Sequence, residues 1–398
     1  MAGKGALNGV KVLDLGHYVA GPSCAKLLAD YGAEVVKVER PDGGDPVRHL
    51  GPFAGDRPGD NRSLLFLNLN TNRKSITLNL RTADGRAILK QLIAWADILV
   101  ENFAPGCLPS LGLSYDDLKQ ANQRLVMTSI SNFGQSGPYR DFKATEIVLY
   151  ALSGMMYISG AYDREPLKHG LPQAAYHAGL QAAYATLFAL WYQHDTGLGQ
   201  HVDVSIAECL SAELYQQMYT YGGVIQRRAP KEGGAAYRFL MPCKNGHVGF
   251  TPAGSQSWEA FANLLDAPEL AEPRFATARG RALHAAALDE MMIPHARMRE
   301  RDELFHTAQS WRFAFSPLQA PSEVAQDPQL EARGYFHTDD YPGLGRIKYP
   351  GAPVKMSETP WMLRMQAPRL GEHNEEIYGG LLGYGSQELV RLRELRVI

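Results

Sequence analysis

Between Val10 and Glu39 the chain spells a strand, a turn, a helix and a second strand, and few folds begin that way. Val10 to Leu15 is a short apolar strand, and Gly16-His17-Tyr18-Val19-Ala20-Gly21-Pro22 is the turn. A helix covers about Ser23 to Tyr31 and stops at Gly32; Ala33 to Glu39 is the next strand. So short a crossover lays the strands parallel, the start of an open, Rossmann-like α/β sheet. The turn is not GxGxxG and Gly21 precedes a proline, which argues against a nicotinamide or flavin site. Free amides at the helix start still offer a place for an anionic group.

The pattern continues. Asp42 to Asp60, rich in Gly, Pro and Asp without periodicity, reads as a long surface loop. A polar basic cluster, Asn70 to Ser75, precedes the strand Ser75 to Leu78, and Thr82 to Ala96 is an amphipathic helix capped by Thr82 or Asp84. The strand Asp97 to Glu101 ends in Asn102-Phe103-Ala104-Pro105-Gly106. A short helix, Tyr115 to Ala121, leads to the strand Leu125 to Ser131, which ends in the glycine-punctuated loop Asn132 to Arg140. Open α/β sheets bind ligands at the carboxyl ends of their strands. Here those ends carry Gly, Asn, Arg and Lys, pointing to a cleft for a long, polar, anionic ligand.

Pro166 to Leu210 holds a long apolar helix, expected to be buried, that stops at Thr196-Gly197-Leu198-Gly199. The alternating run His201 to Ile206 then reads as a strand, and Glu208 to Gly222 as helical and aromatic. A large domain is expected over residues 1–222, a linker over 223–238, a small α+β domain over 239–325 and a return segment over 326–398. In the small domain Phe239 to Cys243 and His247 to Thr251 pair across Lys244-Asn245-Gly246, because Asn-Gly accepts the positive φ of a tight turn. Helices over about Ser257 to Leu265, Ala282 to Ile293 and Arg301 to Ser310 complete it, and Phe313 to Asp327 leads back.

With 398 residues there is room for two cores, and 45% hydrophobic with 21% charged residues is ordinary for a globular protein. A net charge of −2 excludes nucleic-acid or membrane-surface binding through bulk electrostatics. No apolar run reaches spanning length, and the lead into the first strand has no signal-peptide core, so the expected compartment is the cytoplasm. Cys24, Cys107, Cys209 and Cys243 form no CxxC pair and read as free thiols; the twelve histidines show no ligand spacing, so no metal is expected.

These pieces, in register along nearly the whole chain, resemble the family III CoA-transferases, which include formyl-CoA transferase, carnitine CoA-transferase and α-methylacyl-CoA racemase. The resemblance rests on Leu7 to Asp14, Ala20-Gly21-Pro22, Gly32 to Pro41, Lys74-Ser75-Ile76, Asp97 to Phe103, Gly134 to Tyr139, Thr196 to Gln200 and Pro368 to His373. It implies an open α/β large domain, a small domain inserted late, and two interlocked protomers. It also implies acyl-CoA and a carboxylic acid as substrates, with no covalently bound cofactor. In the family an aspartate attacks the acyl-CoA thioester, giving a mixed anhydride and CoA thiolate. The thiolate returns to form an aspartyl-CoA thioester, which the acceptor acid resolves.

In the stretch Gly170-Leu171-Pro172-Gln173-Ala174-Ala175-Tyr176-His177-Ala178-Gly179 the family's aspartate aligns with Ala175. A methyl group cannot carry an acyl group. His177 and Glu146 are the nearby candidates for a substitute role, with Asp163 and Glu165 displaced in the preceding loop. Racemisation lacks its His/Asp pair, since Thr145 and Ala175 stand at those positions. The resemblance assigns Tyr18, Val19, Ala20, Arg40, Arg73, Lys74, Asn102, Phe103, Arg140 and Lys143 to CoA; Ala104 and Ser110 replace residues that are often basic. The reading that follows is the aspartate-less subunit of a hetero-oligomer, compared with benzylsuccinate CoA-transferase, or a homodimer of this chain. The alternatives are a stand-alone acyl-CoA isomerase or lyase and a non-catalytic CoA-ester-binding protein.

Overall fold

A computed structural model describes residues 5–161, 164–214, 240–251 and 257–398. The expected linker 223–238, the aromatic run after Leu214, and Asp163 lie outside the described residues. The chain divides into two units: residues 1–156, 168–225 and 335–398 form the larger, residues 157–167 and 226–334 the smaller.

The large unit is built on six parallel strands, β1 (Lys11–Asp14), β2 (Glu34–Glu39), β3 (Arg73–Thr77), β4 (Ile98–Glu101), β5 (Val126–Ser131) and β6 (His201–Ser205), in the order β3-β2-β1-β4-β5-β6. Successive residues point to opposite faces of a strand. Val12, Val35, Ile98 and Val126 therefore enter one core, and Leu13, Val36, Leu99 and Met127 the other. The first core is closed by helices α1 (Ala20–Asp30), α4 (Glu146–Leu152), α5 (Gln173–Thr196) and α6 (Ile206–Ser211). The second is closed by α2 (Ala83–Trp95) and α3 (Tyr115–Lys119), together with Ile377, Tyr378 and the buried Val397 and Ile398.

Three local expectations change. Helix α1 starts at Ala20, three residues earlier than read, because Pro22 falls in its first turn, where no intrahelical N–H is needed. Thr82 rather than Asp84 caps α2, its hydroxyl accepting from Gly85 N–H at 3.0 Å. Helix α5 stops where expected, at Gly197 with φ 74°, but it is not wholly buried. Ala174, Ala178, Ala182 and Ala189 face the core while Leu180, Tyr184, Phe188, Trp191 and Tyr192 are exposed along the other side.

In the smaller unit, β7 (Leu240–Cys243), β8 (Gly246–Thr251) and β9 (Ala314–Pro317) form an antiparallel sheet. Its core includes an aromatic cluster: Phe250 stacks on Phe261 and is tilted against Phe315, and Phe313 meets Phe261 edge-on. Phe313, expected to begin the return, instead precedes the third strand of this sheet.

Candidate functional site

Order β3-β2-β1-β4-β5-β6 reverses direction between β1 and β4, and crevices for ligands form outside the carboxyl ends of strands at such a switch. Two turns meet there, Gly16 to Ala20 after β1 and Asn102 to Gly106 after β4. Asn102 clamps the first turn from both sides: its Oδ1 accepts from His17 N–H at 2.7 Å and its Nδ2 donates to His17 C=O at 2.9 Å. The Phe103 ring lies 5.4 Å from the His17 ring. Tyr18 takes a left-handed φ of 60° and stands exposed, whereas Val19 and Ala20 are buried.

Buried charges hold the first turn from beneath. Lys37 Nζ donates to Gly16 C=O at 2.7 Å and pairs with Asp45 at 3.0 Å, while Asp45 Oδ1 accepts from Tyr18 N–H at 3.1 Å. Asp14 Oδ1 accepts from Gly16 N–H at 2.8 Å, and its Oδ2 pairs with Arg73 at 2.6 Å. Glu39 receives Arg48 at 2.7 Å and the Ser75 hydroxyl at 2.7 Å. Burial alone would raise the Glu39 and Asp45 acids, but the Arg48 and Lys37 partners outweigh it and hold both below the usual carboxylate range.

This network settles where two expected CoA residues sit. Arg73 is fully enclosed, its guanidinium taken up by Asp14, Asn70 and the Pro22 carbonyl. Lys74 lies on the edge strand between Glu34 at 2.7 Å and Glu376 at 2.8 Å. Both residues lie at the start of β3; the Arg73 side chain reaches the carboxyl end of β1 only from inside the core, and Lys74 is held between two carboxylates. Arg40 is exposed just past β2, and Arg140 lies against Gly106 of the second turn, 3.0 Å from where a Cβ there would stand. Lys143 is exposed.

Helix α5 brings Ala175 to the same region. Gly179, one turn further on, packs so tightly that an added Cβ would lie 1.9 Å from Ser23 Oγ and 2.8 Å from Ala20 C=O in α1. Pro172 gives the helix no side-chain cap; Glu146, at the start of α4, supplies one from outside, accepting from Ala174 N–H at 2.6 Å. Glu146 is therefore brought to the Ala175 end of the helix. His177 is not: two residues on is about 200° around the helix. Its Nε2 lies 2.7 Å from Gln181 Nε2 and 3.3 Å from Glu213 Oε1, on the side facing α6.

Sequence reading passed over His17, in the turn after β1, and Glu101, which ends β4. Burial, then Lys37, lowers the His17 pKa and favours the neutral ring. Burial pushes the Glu101 carboxyl up to about 7. Tyr150 and His169 were also missed; they meet at 3.3 Å one turn along α4 from Glu146.

Asn102 yields the first quantitative expectation. Asn102→Ala strips partners from both the N–H and the C=O of His17, and should cost about 1–3 kcal/mol, read as a lower urea midpoint.

Among the described residues no group of three His, Cys, Asp or Glu side chains is placed to hold a metal, and no helix is long and apolar enough to cross a membrane. Comparison with known proteins gives one consistent answer. The model of CoA-transferase family III matches residues 7–374. A succinyl-CoA--D-citramalate CoA-transferase of Chloroflexus aurantiacus is 35% identical over 98% of this chain and 98% of its own. Subunit BbsE of the succinyl-CoA:(R)-benzylsuccinate CoA-transferase of Thauera aromatica is 33% identical over 90% of each chain. The crystal structure of a CAIB/BAIF family protein from Brucella suis superposes with a TM-score of 0.84 and 31% identity, covering 95% of this chain and 100% of that one.

Proposed function

This chain belongs to CoA-transferase family III, and from that premise we propose that it handles acyl-CoA thioesters and free carboxylic acids as the aspartate-less subunit of a hetero-oligomeric CoA-transferase in the cytoplasm. One observation carries the reading: at the capped head of α5, residue 175, which the sequence resemblance pairs with the family's nucleophile, is an alanine and presents a methyl group. A partner chain with aspartate at the aligned position supplies the attacking carboxylate. This chain contributes the scaffold and its nucleotide-binding edge.

On this reading Tyr18, Val19 and Ala20 with Asn102 and Phe103 receive CoA. Arg40, Arg140 and Lys143 meet its phosphates, which suit the forked guanidinium and the ammonium alike. Support for a subunit role comes from a relative that is itself named as a subunit. The exposed apolar side of α5 also fits an intersubunit contact, since monomers rarely leave so continuous an aromatic stripe uncovered.

The test is CoA exchange followed by mass, using several acyl-CoA donors and free acids, with this chain alone and with a paralogue bearing aspartate at the aligned position. Exchange is expected in the mixture only, with the acyl adduct on the partner's aspartate. Turnover by the pure chain that survives Ala175→Gly and disappears in His177→Ala would overturn the reading in favour of a stand-alone enzyme.

A further inference from the structure

Beneath the Phe103 turn is a polar cluster that the proposed transfer chemistry does not use. Glu101, the last residue of β4, is buried, and its Oε2 accepts from Phe103 N–H at 2.7 Å. Ser129, its register partner on β5, sets its hydroxyl beside the same carboxyl and favours the charged form. Ser129 Oγ lies 2.8 Å from His201 Nε2 at the start of β6, and His201 is exposed and stacked on Tyr115 at 5.5 Å. Glu101, Ser129 and His201 share the lining of a cavity of about 40 Å³ with Tyr115 and Gln135, whose Oη and Nε2 are buried with no partner among the described residues. Such a space has room for about one water, and those unpaired polar atoms would hold it.

We propose that Glu101 is the positioning residue of the Phe103 turn, and that Ser129 and His201 are the route by which its proton passes to the surface. The proposal rests on the CoA reading only in giving that turn a ligand to receive. The steps balance one proton. With Glu101 neutral, its O–H donates to Ser129 Oγ, Ser129 donates to His201 Nε2, and the imidazole carries its proton on Nδ1. On ionisation the Glu101 proton passes to Ser129, the Ser129 proton to Nε2, and the Nδ1 proton to solvent. Ser129 then donates to the carboxylate, and His201 Nε2–H donates to Ser129. No covalent bond between heavy atoms changes.

The change falls within the physiological range because burial lifts the Glu101 acid to about 7, reinforced by the Asp203 charge on β6 and opposed by the hydrogen bonds from Ser129 and Phe103 N–H. The other titratable or charged groups around the cluster are His201 on β6, exposed overall but with its ring partly desolvated against Ser129 and Tyr115, which lowers its pKa, Tyr115 and Asp116 on α3, Cys107, and Arg140 over Gly106. A carboxylate accepts more strongly than a neutral acid. The hold on Phe103 N–H therefore tightens as pH rises through 7.

Two measurements on the full chain without ligand test this. Nitrogen-15 NMR of the His201 ring between pH 6 and 8.5 should show the proton moving from Nδ1 to Nε2 with a midpoint near 7. Exchange of the Phe103 amide, corrected for intrinsic rate, should slow by about fivefold across the same range. Glu101→Gln keeps the shape and the acceptor but cannot ionise; in it both responses should be flat. In Ser129→Ala the ring change should vanish. A single His201 tautomer throughout, or an unaltered response in Glu101→Gln, overturns the inference. Addition of CoA separates the two readings: if the pH response holds but CoA gives residues 102–106 no protection, the CoA assignment of the turn fails and the proton route stands.

Discussion

Replacing Arg73 by methionine should destabilise the large unit by about 3–5 kcal/mol, the range for removing one partner of a buried ion pair. The reason lies in what is left behind. Asp14 keeps a full charge in the core with Lys37 at 3.7 Å as its nearest cation, and Asn70 Oδ1 and the Pro22 carbonyl lose a donor. Chemical denaturation followed by tryptophan fluorescence reads the loss. Adding Asp14→Leu should not restore stability, because Asp14 also fixes Gly16 N–H at 2.8 Å. Full recovery in the double variant would show that the two residues form an isolated pair and not part of a network supporting the turn.

The second large effect is expected at Gly179. In Gly179→Ala the new methyl meets Ser23 Oγ at 1.9 Å and the Ala20 carbonyl at 2.8 Å. The serine side chain can turn, but the backbone oxygen cannot, so α5 and α1 must separate. Overpacking of this kind costs about 1–3 kcal/mol. The functional loss should be larger in proportion. Helix α1 begins at Ala20 beside the Tyr18 turn and α5 begins beside residue 175, so separation moves one half of the site from the other. A misplacement of about 1 Å can lower the rate about 100-fold. On the proposed function, CoA exchange in the mixture with the aspartate-bearing paralogue should fall by that order while the chain still folds at 25 °C. Unchanged exchange would show that the α1–α5 spacing does not set the site.

How far the sequence could be read depended on whether the deciding contact was local. Strands β1, β2, β4 and β5 were legible as largely apolar runs closed by turn residues, and β6 as an alternating run, whereas β3 opens at Arg73, two residues earlier than read. The end of α5 was legible because Gly197 supplies the left-handed residue that stops a helix. The start of α1 was misread, since Gly21-Pro22 looks like a turn and only the backbone shows it to be a first helical turn. Arg73 and Lys74 were expected at the ligand because sequence displays a charge but not its surroundings. Asp14 and Glu376, which answer those charges, are remote in the chain. The outer side of α5 was expected to be buried because it is apolar, and apolarity alone cannot say whether a core or another chain covers it. Glu101 gave no local sign of its burial; its partners come from β5 and from the next turn.

The buried charge network has one more consequence. Asp14, Lys37, Glu39, Asp45, Arg48 and Arg73 shape the turn after β1 from inside, and none of their hydrogen bonds or ion pairs involves residue 175. Residue 175 is structurally silent toward that network: its side chain can vary without any of these six residues losing a partner. A scaffold wired in this way can change the residue at position 175 and keep its edge, so that, on the proposed function, two copies of one architecture are free to divide the labour between them.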